Sequence, residues 1–186
     1  MSNLILDSFQ MEIRMNSTTN DKLIMGHQSG HPTLGERFKF SPSEEQLSYV
    51  TQRVSEYVWH EMPDDGGWNY GTNLSYLQEL CHHWIHEFNW WDHQAKLDLF
   101  SHYVTKINEI ETHYIFERGS GSNPTPLLIS HGWPGSICEF LNIIEPLAHP
   151  ERFGGSVDDA FDVIAPSLPG FGFSGRPPRP MGPRGM

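Results

Sequence analysis

Ser130-His131-Gly132-Trp133-Pro134-Gly135-Ser136 is the stretch whose reading decides the fold. The apolar run Leu127-Leu128-Ile129 precedes it, and Ile137 to Ala148 after it reads as a helix. A buried strand, Leu127 to Ser130, then a tight Gly/Pro turn and a helix make a strand-to-helix corner. Backbone N–H groups at such a corner can point at one spot, and a developing oxyanion is the kind of charge that spot can hold. Four residues alone are better explained as a turn that merely joins strand to helix. Their context changes that, because a second strand, Phe161 to Ala165, is followed by the loop Pro166-Ser167-Leu168-Pro169-Gly170-Phe171-Gly172-Phe173-Ser174.

Working outward, residues 1–35 mix Asn, Thr, Ser, His and Gly without a sustained period, although Leu4-Ile5-Leu6 could form a brief strand. They read as a mobile leader. Ser41 reads as an N-cap, with Pro42 at the first helical position and Glu44 completing a capping box. Leu47, Val50, Val54, Tyr57 and Val58 then recur at helical spacing, until Pro63 and Asp64-Asp65-Gly66-Gly67 end the helix. A second helix spans about Leu74 to Phe88, with Leu77, Leu80, Cys81, Trp84, Ile85 and Phe88 in one apolar stripe. Asp92 is placed to cap a short third helix reaching Phe100. From Tyr103 the period changes to that of two extended segments joined near Glu109, and the run from Gly119 to Pro124 is a turn. Strand, strand, strand, helix, strand is the opening of a mixed, mostly parallel sheet. The division expected is a leader (1–35), a helical segment (36–102), a sheet-bearing region (103–175) and a Pro/Arg-rich coil tail (176–186).

His131-Gly132-Trp133-Pro134 resembles the His-Gly-x-Pro element of the α/β-hydrolase superfamily, in the form found in epoxide hydrolases of the microsomal type. Residues Phe161 to Ser174 look like that family's next core strand and loop. Trp68-Asn69-Tyr70-Gly71-Thr72 and the helix after it are similar to its N-terminal domain. The matches run from about Phe38 to Pro177. The resemblance implies an α/β fold: a helical segment wrapping over the core, then the first strands and helix of an α/β-hydrolase, with an incomplete sheet. It implies that the Trp133 N–H is one donor of an oxyanion hole, supported by His131, Gly132 and Pro134, across a cis Trp133–Pro134 bond. His131 would order the loop and is not the catalytic base.

That fold presents its nucleophile on a Gly-x-nucleophile-x-Gly elbow after the next strand. No such pattern centred on Ser, Asp or Cys occurs in the 186 residues. The resemblance places an aspartate beyond Met186, with lid tyrosines, an acid and a histidine further on. The chain is therefore expected to be an N-terminal fragment, inactive by itself. The complete enzyme would hydrolyse a small hydrophobic epoxide to a vicinal diol through an alkyl-enzyme ester, with no cofactor or metal. Alternatives are a non-catalytic truncated product or binding module, and an esterase or dehalogenase on the same fold. The Trp68 to Phe88 segment speaks for the epoxide family among these.

Composition narrows the partners. A net charge of −11 argues against nucleic acid and anionic membranes. Eleven Phe, 6 Trp and 6 Tyr suffice for a core and are too many for a disordered chain. Cys81 and Cys138 fall outside metal or redox spacing and read as buried free thiols, which suits a reducing, cytoplasmic compartment. No apolar run approaches the roughly 20 residues of a membrane helix, and no signal peptide or anchor is read at the N-terminus. His82 and His86 sit four apart as zinc ligands often do, but His83 stands where a glutamate is usual and no third ligand follows, so a polar helix face is preferred and no metal is expected. Trp84 reads as stripe packing, and Asp64 and Asp65 as a solvated turn. An unpaired sheet edge would be a site of self-association.

Overall fold

A computed structural model describes residues 34–61 and 67–180. Most of the leader, the strand proposed at residues 4–6, Pro63, the Asp64–Asp65 pair and the end of the tail lie outside the described residues. The chain forms two compact units, the division falling after Lys39 and again after Ala95.

The described part of residues 40–95 is helical, with the third helix ending just past it at Leu97. Helix α1, Glu44–Ser55, is capped by Ser43 and not by Ser41. The Ser43 Oγ accepts from the Gln46 N–H at 3.2 Å, and the Gln46 side chain accepts from the Ser43 N–H at 2.8 Å. Starting there puts Glu44 and Glu45 in the first turn, against the positive end of the helix. The helix also stops earlier than its apolar spacing suggested, leaving Tyr57 and Val58 beyond Ser55 and exposed. Helix α2, Leu74–His86, has Asn73 as its N-cap, which accepts from the Tyr76 N–H at 3.0 Å. Its apolar stripe exists, yet no residue of α2 is buried. Helix α3, Trp90–Leu97, begins two residues before Asp92, with Asn89 and not Asp92 accepting a first-turn N–H, that of Trp91 at 3.0 Å. Trp90 packs edge-on against Phe40.

The described residues of the other unit are built on a five-stranded sheet. Strands β1 (Glu36–Arg37), β2 (His102–Ile107), β3 (Ile110–Glu117), β4 (Thr125–Leu128) and β5 (Phe161–Pro166) lie in the order β1-β2-β3-β5-β4. The β2–β3 hairpin turns at Asn108 and Glu109, both at positive φ (47° and 70°), the conformation that matches the twist of the flanking strands. The expected neighbours β4 and β5 are parallel, with Leu127 opposite Val163. The other three pairings are antiparallel, so the described part of the sheet is mixed but not mostly parallel. Strand β4 is also not buried as expected: it is the outer one among the described strands, and Leu128 is 66% exposed. It ends at Leu128 as a strand, although the Ile129 N–H still bonds to the Ile164 carbonyl at 2.9 Å.

The helix expected from Ile137 to Ala148 is broken in two. A 3₁₀ turn covers Ile137–Phe140, and helix α4 covers Ile144–Ala148. Pro146 explains the break. It lacks an N–H and is tolerated only in the first turn of a helix, so the helix has to restart just before it. The core lies against the sheet and comprises Leu97, Ile115, Ile137, Ile144, Ala148, Val163 and Ala165. Beyond α4, His149 bridges the Ser120 hydroxyl at 2.6 Å and the Glu117 carboxylate at 3.0 Å, fastening the turn that follows β3. Residues 175–180 carry no regular element.

Candidate oxyanion corner

Every segment of the corner is held by hydrogen bonds that follow from its sequence. Ser136 caps the 3₁₀ turn, accepting from the Cys138 N–H at 3.2 Å while its own N–H donates to Glu139 at 3.1 Å. Gly135 is required beneath this box, because a Cβ there would stand 2.8 Å from the Gly132 carbonyl oxygen as well as overlapping the Glu139 carboxylate that closes the box. The Ser136 and Cys138 N–H groups are thereby consumed. Trp133 differs: its N–H donates to no described residue, and its side chain is exposed. The Trp133–Pro134 bond is cis. Gly132 faces open space, with nothing within 4 Å of where a Cβ would stand.

His131 is 4% exposed and ties the corner to the loop after β5. The Leu168 N–H donates to its Nε2 at 3.0 Å, and its Nδ1 lies 2.9 Å from the Gly132 carbonyl. A carbonyl only accepts, so Nδ1 carries the proton and Nε2 is the bare acceptor. Phe171 packs edge-on against the ring.

A second polar cluster lies directly behind that loop, and sequence reasoning missed it. His113 is fully buried, with its Nδ1 2.9 Å from the Ser167 hydroxyl and its Nε2 2.9 Å from Nδ1 of His102. His102 Nε2 in turn reaches the Leu97 carbonyl at 2.8 Å. The carbonyl again sets the order: His102 and His113 each donate from Nε2, and Ser167 donates to His113. Burial holds His113 neutral, its pKa lowered to about 3, with the neighbouring His102 a lesser cause. His102 is lowered too, by burial first, against opposing contributions from Leu97 and Asp98. Gly172, at φ 51°, lets the loop fold over the cluster, since a Cβ would stand 2.8 Å from the Ser167 hydroxyl. The hairpin register was the available signal. His102 lies opposite Ile115 and Val104 opposite His113, so the two histidines are diagonal neighbours on one sheet face.

Other sequence candidates do not converge. The His82 and His86 rings lie with centroids 4.4 Å apart and tilted by 48°, and among the described residues no group of three or more His, Cys, Asp or Glu is placed to hold a metal. The Asp162 carboxylate accepts the Gly119 N–H at 2.8 Å, a structural bond between β5 and the turn after β3. Ser120 and His149 resemble a nucleophile and base, but the Ser120 hydroxyl donates its one proton to Glu151 at 2.8 Å. That hydrogen bond lowers the Glu151 pKa. Cys81 and Cys138 are free thiols, and Cys138 is exposed where burial was expected.

The mixed sheet, the corner after β4 and the Pro-Gly loop after β5 are the opening of an α/β-hydrolase, and residues 125–184 match the profile of the alpha/beta hydrolase fold. Residues 35–140 match the family described as epoxide hydrolase N terminus, and the chain belongs to the epoxide hydrolase family. A putative epoxide hydrolase of Stigmatella aurantiaca is 38% identical over 140 residues, covering 75% of this chain and 32% of that relative. Epoxide hydrolase 1 of Oryctolagus cuniculus is 37% identical over 141 residues, covering 74% and 31%. Among solved structures, Aspergillus niger epoxide hydrolase aligns with a TM-score of 0.69 at 26% identity, covering 79% of this chain and 38% of that one. Juvenile hormone epoxide hydrolase from the silkworm Bombyx mori aligns at 0.67 and 28% identity, covering 78% and 34%. The chain thus spans about a third of the length of the relatives it matches. Among the described residues, no helix is long and apolar enough to cross a membrane.

Proposed function

We propose that this chain supplies the oxyanion side of an epoxide hydrolase active site, with the Trp133 N–H as donor and His131, Gly132 and Pro134 building its loop. The observation that carries the reading is the Trp133 N–H, which has no partner among the described residues at an exposed corner, while the Ser136, Cys138 and Glu139 N–H groups that follow are paired. In the complete enzyme, a carboxylate attacks an epoxide carbon and breaks its C–O bond, as an acid protonates the leaving oxygen. The resulting ester is then attacked by water, and the tetrahedral oxyanion formed is where the Trp133 N–H donates. The product is a vicinal diol, and the substrate class is a small hydrophobic epoxide. No cofactor enters this scheme, and the two free thiols support a cytoplasmic setting.

The 186 residues contain no Gly-x-nucleophile-x-Gly elbow. By themselves they leave styrene oxide at its buffer-only rate. A chimera carrying residues 35–174 in place of the matching part of the rabbit relative converts it to the diol. In that chimera Trp133→Pro, which deletes the N–H, lowers kcat by about 10²–10³, whereas Trp133→Phe, which keeps it, does not. An unchanged kcat in the proline variant defeats the assignment.

A second reading, a non-catalytic module that self-associates, draws on the outer edge of β4. The Thr125 and Ile129 N–H groups bond inward to β5, so Pro126, Leu128 and Ser130 face outward in a parallel ladder. Pro126 has no N–H to offer there, which blunts the edge. Sedimentation of the 186-residue chain as a concentration-dependent dimer would favour this reading. A monomer would remove it.

A further inference from the structure

The hydrogen bonds around the corner join into one line when followed peptide by peptide. The His113 N–H donates to the Ser174 Oγ at 2.9 Å. The Ser174 hydroxyl donates to the Ser167 carbonyl at 2.7 Å. That carbonyl and the Leu168 N–H are the two ends of a single peptide group, and the Leu168 N–H donates to His131 Nε2 at 3.0 Å. His131 passes the same sense of polarisation through its ring, from Nε2 to the Nδ1–H that donates to the Gly132 carbonyl at 2.9 Å. The Gly132 carbonyl and the Trp133 N–H are again the two ends of one peptide group. Each acceptor in the line is also the far end of the next donor, so every link draws charge in the same direction. Hydrogen bonds arranged head to tail strengthen one another, by about 10–30% per bond. Ser174 and His131 are both 4% exposed, so water competes little for either.

We propose that Ser174 and His131 are positioning residues that relay hydrogen-bond polarisation from the buried His113 main chain to the Trp133 N–H, making that group a stronger and better-aimed donor. The proposal rests on the assignment of the Trp133 N–H as the oxyanion donor, and it adds the residues that set its strength. Ser174 does not touch the reacting atoms, and it acts through two peptide groups and one imidazole. The line also dictates tautomers: His131 is protonated on Nδ1, whereas His102 and His113 are protonated on Nε2.

The test uses the ¹⁵N-labelled 186-residue chain. In the unaltered protein, NMR is expected to show His131 Nε2 unprotonated and a scalar coupling across the hydrogen bond between it and the Leu168 nitrogen. An Nε2–H tautomer of His131, or no such coupling, overturns the proposal without any variant. Ser174→Ala is expected to move the Trp133 amide proton upfield, speed exchange of the Leu168 amide, and mix the two neutral His131 tautomers. Ser174→Thr, which keeps the hydroxyl, should restore all three. A Trp133 amide unmoved by Ser174→Ala in a folded chain overturns the relay. The chimera separates the two ideas. If Trp133→Pro lowers kcat by about 10²–10³ while Ser174→Ala leaves both the Trp133 amide and kcat unchanged, the relay fails and the oxyanion assignment stands. A fall in kcat for Ser174→Ala with KM unchanged, recovered by Ser174→Thr, supports the relay, because a donor used only in the transition state alters kcat alone.

Discussion

The sheet-bearing unit and the helical unit both carry apolar residues recurring on one face, and they use them differently. In the sheet unit Ile115, Ile144, Ala148, Val163 and Ala165 are fully withdrawn from water. In residues 40–95 neither α1 nor α2 buries a single residue, and Leu80 and Trp84 of the α2 stripe remain 45% and 46% exposed. Periodicity states which face of an element seeks cover. It does not supply the cover. A hairpin and a strand–helix–strand crossover bring their own partners from nearby in the chain, whereas an amphipathic helix waits for one.

The contrast can be broken most directly in the core. Ile115→Ala is expected to cost about 2–5 kcal/mol in urea unfolding, from lost burial plus the cavity left behind. A cost under about 1 kcal/mol would erase the difference between the units. His113→Leu keeps the volume but leaves the Ser167 hydroxyl and His102 Nδ1 unpaired, at about 1–3 kcal/mol for each buried group. Unchanged stability in that variant would mean the polar cluster contributes nothing to holding β3 and the loop together.

The same cluster makes a pH signature. Above about pH 6.5 His113 is neutral both folded and unfolded. Below it the unfolded chain takes up a proton that the folded His113, lowered to about 3, does not. The unfolded state then binds more protons, so stability falls as pH falls, by up to about 1.4 kcal/mol per pH unit between about 6.5 and about 3. Urea midpoints at pH 7.5 and 5.5 measure the slope, and His113→Leu should flatten it. An equal slope in both proteins would assign the effect elsewhere. The smallest effect is expected in the helical unit, where Leu80→Ser should stay within about 0.5 kcal/mol. A loss above about 1.5 kcal/mol would sharpen the comparison the other way, by showing that the α2 stripe is covered in solution.

Local chemistry was legible where a residue type has few alternatives. The Gly-Trp-Pro-Gly-Ser run announced a corner, the period change at Tyr103 announced a hairpin, and the resemblance led to the cis Trp133–Pro134 bond. The errors fell where two neighbouring solutions are nearly equal in energy. Ser41 and Ser43 both start plausible capping boxes, and only the one with Gln46 forms. The apolar run before the corner has the composition of a buried strand. Its exposure depends on how many strands lie beside it, which no local pattern records.

What the sequence by itself determined is therefore the order of elements, the position of the corner and the identity of the residues at it. Those depend on backbone chemistry within a few residues: a proline without an N–H, a glycine beneath a carboxylate, a serine at a helix start. Only the tertiary structure decided which polar groups meet. His102, His113, Ser167 and Ser174 span 73 positions of sequence, and none carries a motif that points to the others. They converge because β3 pairs with both β2 and β5, and because Gly172 lets the loop close over them. Once buried, each must find a partner, since an unpaired polar group in a dry interior costs more than the bond returns. That requirement, and not any local signal, strings the chain of donors that ends at Trp133.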